Sequence, residues 1–377
     1  MESRVTVRDI AKQAKVHFTT VSMALRNHPE ISAATRERIK KVAKEMGYRP
    51  DAMLSALSSY RQGLRKPHYQ ATIAWINAYP KREDLYALSL YREYFHGARE
   101  RAEEMGFKLE EFWLGEPGLT RARLRGILQS RGIRGALVAP MPPYGETEKM
   151  ELVPWERLSA VSLGFSLRRP QLHTVSPNQY HAMRTILGEI RKLGYRRIGF
   201  VAEQDGDLRC DHNWQAAFWV DYHSQPPERR VEPLWLPPGL VSEADFRHWI
   251  ETQRPDVITP AVWKVGGLVK KLGMKVPRDI GLVSQSISSG DNVVSGIDEM
   301  GMQVGSAALE YLVAMLNQQE YGIPTVPKQL LIEGRWVRGT TVRRVGPSLI
   351  SDAESAESRP GRVPSRRRQG TRRPIRC

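Results

Sequence analysis

His17, Phe18, Thr19, Thr20 and Ser22 crowd the start of one short segment and, with Met23, are what remains once Val21, Ala24 and Leu25 are turned inward at helical spacing. Hydroxyls and an imidazole in that position can hydrogen-bond base edges, and Phe18 beside a threonine methyl suits the methyl group of thymine. The segment before them carries Val7, Ile10, Ala11 and Ala14 on one helical face, with Thr6 placed to cap it and a tight corner at Ala14-Lys15-Val16. Together they outline a helix-turn-helix, with the reading side chains at the head of its second helix.

Further elements must hold that device in place. Ser32 is placed to cap a third helix, whose Ile39, Val42, Ala43 and Met46 face the same small core. Arg36, Arg38, Lys40, Lys41 and Lys44 are left for water, and Gly47 ends the helix. After Tyr48-Arg49-Pro50, Asp51 can cap one more short helix, 52–58, whose Met53, Leu54 and Leu57 have no core of their own. An apolar helix of that kind needs a partner.

Other chemistries find little support. No phosphate-binding glycine loop, HExxH, CxxC or GxSxG occurs, and the nine histidines do not cluster at metal-ligand spacing. Glu203 to Asp207 invites a calcium reading, but with Asp205 opening the loop the sixth place is Cys210 and the twelfth Ala216, so the pattern fails. A solvated acidic loop is expected there, and His173 and His181 are expected at the surface or a rim. No catalytic residue, metal or cofactor is therefore expected, and the chain does not read as an enzyme.

Charge divides the chain in the same way. Of its net +16, residues 1–66 hold 14 Lys and Arg against 6 Asp and Glu, and residues 341–377 hold 10 against 3, so the middle is close to neutral. Positive ends suit phosphate neutralisation. There is no apolar run long enough to span a bilayer and no signal-peptide segment at the start, and two cysteines, Cys210 and Cys377, make no disulfide framework. A cytoplasmic, reduced protein without a membrane partner is expected. The end, from Val345, is rich in Ser, Pro, Gly and Arg, including Arg366-Arg367-Arg368 and Arg372-Arg373, and cannot bury enough apolar area to fold alone. Its roles reduce to a loose tail or a non-specific DNA contact.

Between the ends, strand-like and helix-like segments alternate. Strands are expected at 72–79, 107–113, 135–139, 159–164, 197–202, 231–236, 257–260 and 280–284. Helices are expected at 91–105, 120–131, 178–193, 211–223, 243–252, 265–272 and 302–317. That rhythm argues for parallel sheets wrapped by helices, and its length for two of them.

Residues 5–57 resemble the DNA-binding headpiece and hinge helix of the lactose-repressor (LacI) family of bacterial transcription regulators. The marks are the VxxIAxxA helix, Thr20-Val21-Ser22, ISAATRERI at Ile31 to Ile39, and GYRPD before the hinge. The resemblance implies a homodimer on a pseudo-palindromic double-stranded operator, its paired hinge helices in the minor groove and a leucine from each, here Leu57, wedged into a base step. It places Thr6, Val7, His17, Phe18, Thr19, Thr20, Ser22, Arg26, Ser32, Tyr48, Met53, Leu54 and Leu57 on DNA. Three departures stand out. Lys15 replaces the usual turn glycine, Leu54 a usual alanine, and Met23 a common arginine, so the operator's outer bases are expected to differ from the usual family site.

Residues 70–341 resemble the same family's core, a two-lobed α/β fold like that of periplasmic sugar-binding proteins, through YFHGARERAEEMGF, LGYRRIGFV, VPRDIGLVS and SGIDEMGMQVGSAALEYL. The implied plan is a first lobe of about 70–167 with 296–325, and a second of about 168–295 with the C-terminal strand. The implied domains are a headpiece at 1–49, hinge and linker at 50–67, an effector-binding and dimerisation core at 68–341, and a disordered basic tail at 342–377. The family's effector-gripping positions fall here on Pro177, Cys210 and Ser286, with Arg209 one residue away as a substitute. Asn77, Tyr79 and Tyr91 from one lobe and Arg209, Asp211, Trp263 and Gln285 from the other are expected at the cleft. The expected effector is a small molecule, a sugar or derivative; the alternative is an effector-independent regulator with a degenerate cleft.

Overall fold

The computed structural model describes residues 5–25, 31–48, 71–143, 147–236, 242–259, 263–287, 290 and 293–347. Arg26, the expected hinge helix with Met53, Leu54 and Leu57, and the tail beyond residue 347 lie outside them.

Three helices form the N-terminal unit: α1 (Val7–Ala14), α2 (Phe18–Leu25) and α3 (Ala33–Glu45). Thr6 caps α1 as expected, and Asp9 completes a capping box by accepting from the Thr6 backbone N–H at 2.9 Å. Ser32 caps α3 through the Thr35 N–H. Ile10, Val21, Ala24 and Ile39 are fully enclosed where the three helices meet. Arg36, expected in water, is half-buried and donates to the Ile31 carbonyl at 2.9 Å, which ties α3 to the loop before it. Lys15 adopts φ 51, ψ 47 at the corner, a left-handed conformation that crowds any Cβ. Lys15→Gly is therefore expected to stabilise this unit by about 1 kcal/mol in thermal or urea unfolding, and an unchanged midpoint would show that the side chain compensates its own strain.

The core is two six-stranded sheets. Its strands are β1 (Ala71–Asn77), β2 (Phe107–Trp113), β3 (Gly135–Val138), β4 (Ser159–Leu163), β5 (His173–Pro177), β6 (Ile198–Glu203), β7 (Leu234–Leu236), β8 (Val257–Thr259), β9 (Gly281–Ile287), β10 (Ser295–Asp298), β11 (Gln329–Ile332) and β12 (Arg335–Val337). The first sheet runs β11-β5-β4-β3-β1-β2, and all its neighbours are parallel. The second runs β12-β10-β9-β8-β6-β7, parallel except for the terminal β12. Buried on both faces, strands such as β1 and β4 read as nearly unbroken apolar runs. The expected helices are α4 (Ser89–Glu104), α5 (Arg121–Ser130), α6 (Gln179–Lys192), α8 (Asn213–Ser224), α9 (Glu243–Gln253), α10 (Trp263–Lys271) and α11 (Gly301–Gln318). The expected all-α headpiece and two-lobed α/β core are what the chain forms.

Several details correct the sequence reading. Glu203 to Asp207 is not a solvated loop: Gln204–Leu208 is a short helix, α7, and the Asp207 side chain is buried. The following helix starts at Asn213, later than expected, because Asp211 and His212 take positive φ. The strand expected at 231–236 keeps only its last half, after Pro233. The second lobe does not begin at residue 168, since β5 lies in the first sheet. The chain crosses between lobes after β5, after β10 and after β11. Val342 is buried in the second-lobe core and the Val345 N–H donates to the Leu193 carbonyl, so ordered packing continues past the expected boundary at 342.

His173 was expected at the surface but is fully buried on β5. Its Nδ1 accepts from the Lys328 N–H at 2.9 Å, which places the ring proton on Nε2, 3.1 Å from Glu320. The ring thereby fastens β5 to the segment that leads into β11. His181 is exposed, as expected, and pairs with Glu333.

Candidate functional sites: a DNA-reading helix and an interlobe cleft

On the N-terminal unit, His17, Phe18 and Thr19 are exposed at the head of α2 and Thr20 is half-buried. His17 Nδ1 lies 2.8 Å from Thr19 Oγ1, and its ring packs on Phe18 at 4.4 Å between centroids. Arg8 from α1 also lies over the Phe18 ring, 5.9 Å from its centroid. Phe18 is 44% exposed, a large apolar side chain held in water by neighbours that do not cover it. Thr6 spends its hydroxyl on the cap of α1, and Val7 and Tyr48 pack half-buried against the small core. Their placement leaves backbone groups and polar edges, not whole side chains, to face an external partner. Ser32 is exposed at the start of α3.

In the core, the ends of the parallel strands converge where the lobes face one another, the usual place for a ligand crevice in open α/β sheets. The chain after β1 supplies Tyr79, α4 supplies Tyr91, and the chain after β3 supplies Met141. From the second lobe, the turn after α7 supplies Arg209 and Cys210. Arg209 Nη2 donates to the Tyr91 hydroxyl at 2.9 Å and to the Met141 carbonyl at 2.6 Å, so two residues expected at the cleft meet directly across it. Burial pushes the Tyr91 phenol above its ordinary range, which keeps it neutral against that cation.

Asp207 fixes the arginine turn. Its carboxylate accepts from the Gln215 N–H at 3.2 Å and lies 3.0 Å from His212 Nδ1, while its carbonyl accepts from the N–H groups of Cys210 and His212. Burial raises its pKa against those bonds. The Cys210 side chain receives the Gln179 amide at 3.2 Å, and burial lifts its thiol to about 12, so it is inert as a nucleophile.

Asn77 is placed differently from the expectation. It is fully buried at the end of β1, and its amide donates to the Arg82 carbonyl at 3.0 Å and to Glu111 at 2.8 Å while accepting from the Tyr79 N–H at 2.9 Å. Its polar atoms are spent inside the first lobe, where they set the turn that carries Tyr79. Asp211 is exposed beside the arginine turn, and Gln285 is half-buried on β9. Trp263 opens α10, and its side chain lies outside the described residues.

Sequence reasoning missed Glu299 and Gln179. Glu299 sits where β10 of one lobe hands over to α11 of the other, and it is only 3% exposed. Burial raises its pKa to about 7, against the lowering effect of Ser286 and Gln179 and with further upward pressure from Glu93 and Asp298. Gln179 follows β5 at another crossover. The available signal was positional: each stands just past the end of a parallel strand. Among the described residues, no group of three or more His, Cys, Asp or Glu could hold a metal ion, and no helix is long and apolar enough to cross a membrane.

These parts define a class: a helix-turn-helix unit coupled to a two-lobed core with a cleft. Residues 6–51 match the family of bacterial regulatory proteins, lacI family. The transcriptional repressor CytR of Escherichia coli (strain K12) is 48% identical over 52 residues, which cover 14% of this chain and 15% of that protein. Over the core the likeness is one of fold. A transcriptional regulator CelR–cellobiose complex aligns with TM-score 0.53 at 20% identity, covering 90% of this chain and all of that one. The lac repressor dimer bound to operator and the anti-inducer ONPF aligns with TM-score 0.53 at 15% identity and the same coverage. The match to the lacI family thus covers the N-terminal unit, and the core shares its fold with the lac repressor.

Proposed function

We propose that this chain is a sequence-specific DNA-binding transcription regulator, a repressor, that acts as a homodimer on a pseudo-palindromic operator under the control of a small-molecule effector. The observation that carries the reading is the exposed set His17, Phe18 and Thr19 at the head of α2, on a headpiece of a family of bacterial regulatory proteins. CytR is itself a transcriptional repressor, and the fold is shared with a regulator bound to cellobiose and with a repressor dimer on its operator. In this reading residues 1–49 read DNA, 50–67 form the hinge, and the core senses the effector, a sugar or derivative. The protein would then work in the cytoplasm, at the nucleoid.

Lobe motion would control the hinge only if the effector binds one lobe arrangement better than the other, and about 1–3 kcal/mol of such coupling is typical. The test is selection of bound genomic fragments, followed by salt-dependent binding to the best site with Leu57→Ala beside the wild type. Enrichment of a short palindrome, its outer bases unlike the common family site because Met23 replaces an arginine, is the expected result. Loss of the wedge is expected to weaken binding about tenfold or more, since unstacking and its compensating contacts are each worth about a few kcal/mol. Diffuse binding that the substitution leaves unchanged would sink the reading.

One observation favours a second reading, a regulator that ignores small molecules: Arg209 already bridges the two lobes, and Pro177, Cys210 and Ser286 occupy the usual gripping positions. Calorimetric titration with sugars and sugar phosphates separates the two.

A further inference from the structure

Among the described residues, the cleft arginine has no acid to balance it. Its two partners, the Tyr91 hydroxyl and the Met141 carbonyl, are both neutral, and its guanidinium stands 6.0 Å from the Tyr91 ring centroid. Among the described residues, no carboxylate lies within ion-pair distance of Arg209. Elsewhere in the core the buried guanidinium of Arg191 is matched with Asp221, and the exposed Arg335 and Arg82 pair with the largely buried carboxylates of Asp298 and Glu111. A half-buried guanidinium held between the lobes by neutral acceptors alone is the arrangement that an incoming anion improves.

Two further atoms point the same way. Gln179 Oε1 and Glu299 Oε1 are buried polar oxygens that have no hydrogen-bond partner of their own. Such oxygens are costly to leave unmet, and hydroxyl groups would meet them.

We propose that the cleft takes a polyhydroxylated carboxylate, a sugar acid or a compound of that chemistry, with its carboxylate on Arg209 and its hydroxyls on Gln179 and Glu299. The planar fork of arginine matches a carboxylate with two parallel bonds. One guanidinium balances one negative charge, whereas the second charge of a phosphate monoester would have no second cation to balance it among the cleft residues named above. The carboxylate is therefore favoured over a sugar phosphate. This inference rests on the effector-controlled reading above and names the chemical class of its ligand.

The test is isothermal titration of the full chain with five- and six-carbon aldonic and uronic acids, their neutral parent sugars and their phosphates, using wild type, Arg209→Gln and Arg209→Lys. An acid is expected to bind about 10- to 100-fold more tightly than its parent sugar, the range for hydrogen bonds to a charged group. The Gln variant should lose that preference, and the Lys variant, which keeps the charge, should retain part of it. Circular dichroism shows whether both variants are folded. A neutral sugar or a phosphate that binds as tightly as the acid, a preference unchanged in Arg209→Gln, or no binding by any acid would overturn the proposal. Operator binding by the same preparation keeps the two readings apart: specific DNA binding with no response to acids removes the ligand class and leaves the regulator standing.

Discussion

Gly305→Ala is expected to destabilise the first lobe by about 3 kcal/mol or more, one of the largest effects of a single methyl group anywhere in the chain. Helices α4 and α11 cross at two glycines. A Cβ on Gly305 would stand 2.0 Å from the Tyr94 carbonyl oxygen and 2.8 Å from the Ala98 nitrogen, and one on Gly97 would stand 2.0 Å from the Met302 carbonyl oxygen. These obstacles are backbone atoms, so no rotamer change relieves them. The helices would have to separate, which opens the packing of Tyr94, Ala98, Val304, Ala308, Leu309 and Leu312, all buried at this crossing. Gly188 in α6 is the matched control: nothing lies within 4 Å of its Cβ position, and Gly188→Ala is expected to stabilise the chain by about 0.5–1 kcal/mol. Guanidinium unfolding of the three proteins measures the contrast. A Gly305→Ala midpoint close to that of wild type would mean that the helices part freely. Because α4 also carries Tyr91, the same displacement should weaken the Arg209 contact across the cleft.

That crossing illustrates what a linear reading can and cannot supply. The helices capped by Thr6 and Ser32 were readable because a capping side chain and an apolar period are both local signals, and those expected at 120–131, 178–193 and 243–252 were readable from the period alone. Strands β1, β2, β3 and β4 were readable as apolar runs of strand length. The strand His173–Pro177 was not, since it mixes polar residues with a proline, and its burial depends on β11, which pairs along its length from 155 residues further on, Gln329 opposite Thr174. Strands β11 and β12 failed for the same reason, each being short with its partner distant in sequence, and β10 was missed because it is only four residues long.

The cleft divides in the same way. Tyr91 and Arg209 could be placed from the family's plan, and the structure brings them into contact. Asn77 looked like a ligand group because a polar residue at a strand end usually faces the crevice, but the neighbouring strand supplies Glu111 to hold it. Glu299 was invisible to composition, since its meaning comes from standing at the handover between two sheets. A carboxyl group buried at such a hinge feels the arrangement of both lobes.

Stability of the core is accordingly expected to fall as pH rises from about 4.5 to about 7, with Glu299 as the largest resolved cause. In the unfolded chain this group titrates near its ordinary value of 4.5, whereas in the folded chain burial raises it to about 7. Below the lower value both states are protonated and the folded state pays nothing. Between the two, the unfolded state has released its proton while the folded state still holds one, so each step up in pH favours unfolding, and above the upper value the loss is complete. The interval corresponds to about 3 kcal/mol. Burial raises Asp207 and Asp256 as well, so the wild-type curve alone does not isolate Glu299. Glu299→Gln does, because it keeps the shape and removes the titration while Glu93 from α4 and Asp298 from β10 remain. Urea unfolding of both proteins across that pH range should show the variant gaining about 3 kcal/mol on wild type by the alkaline end. Parallel curves would place the proton elsewhere and leave Glu299 ionised in the folded protein, held by Ser286 and Gln179.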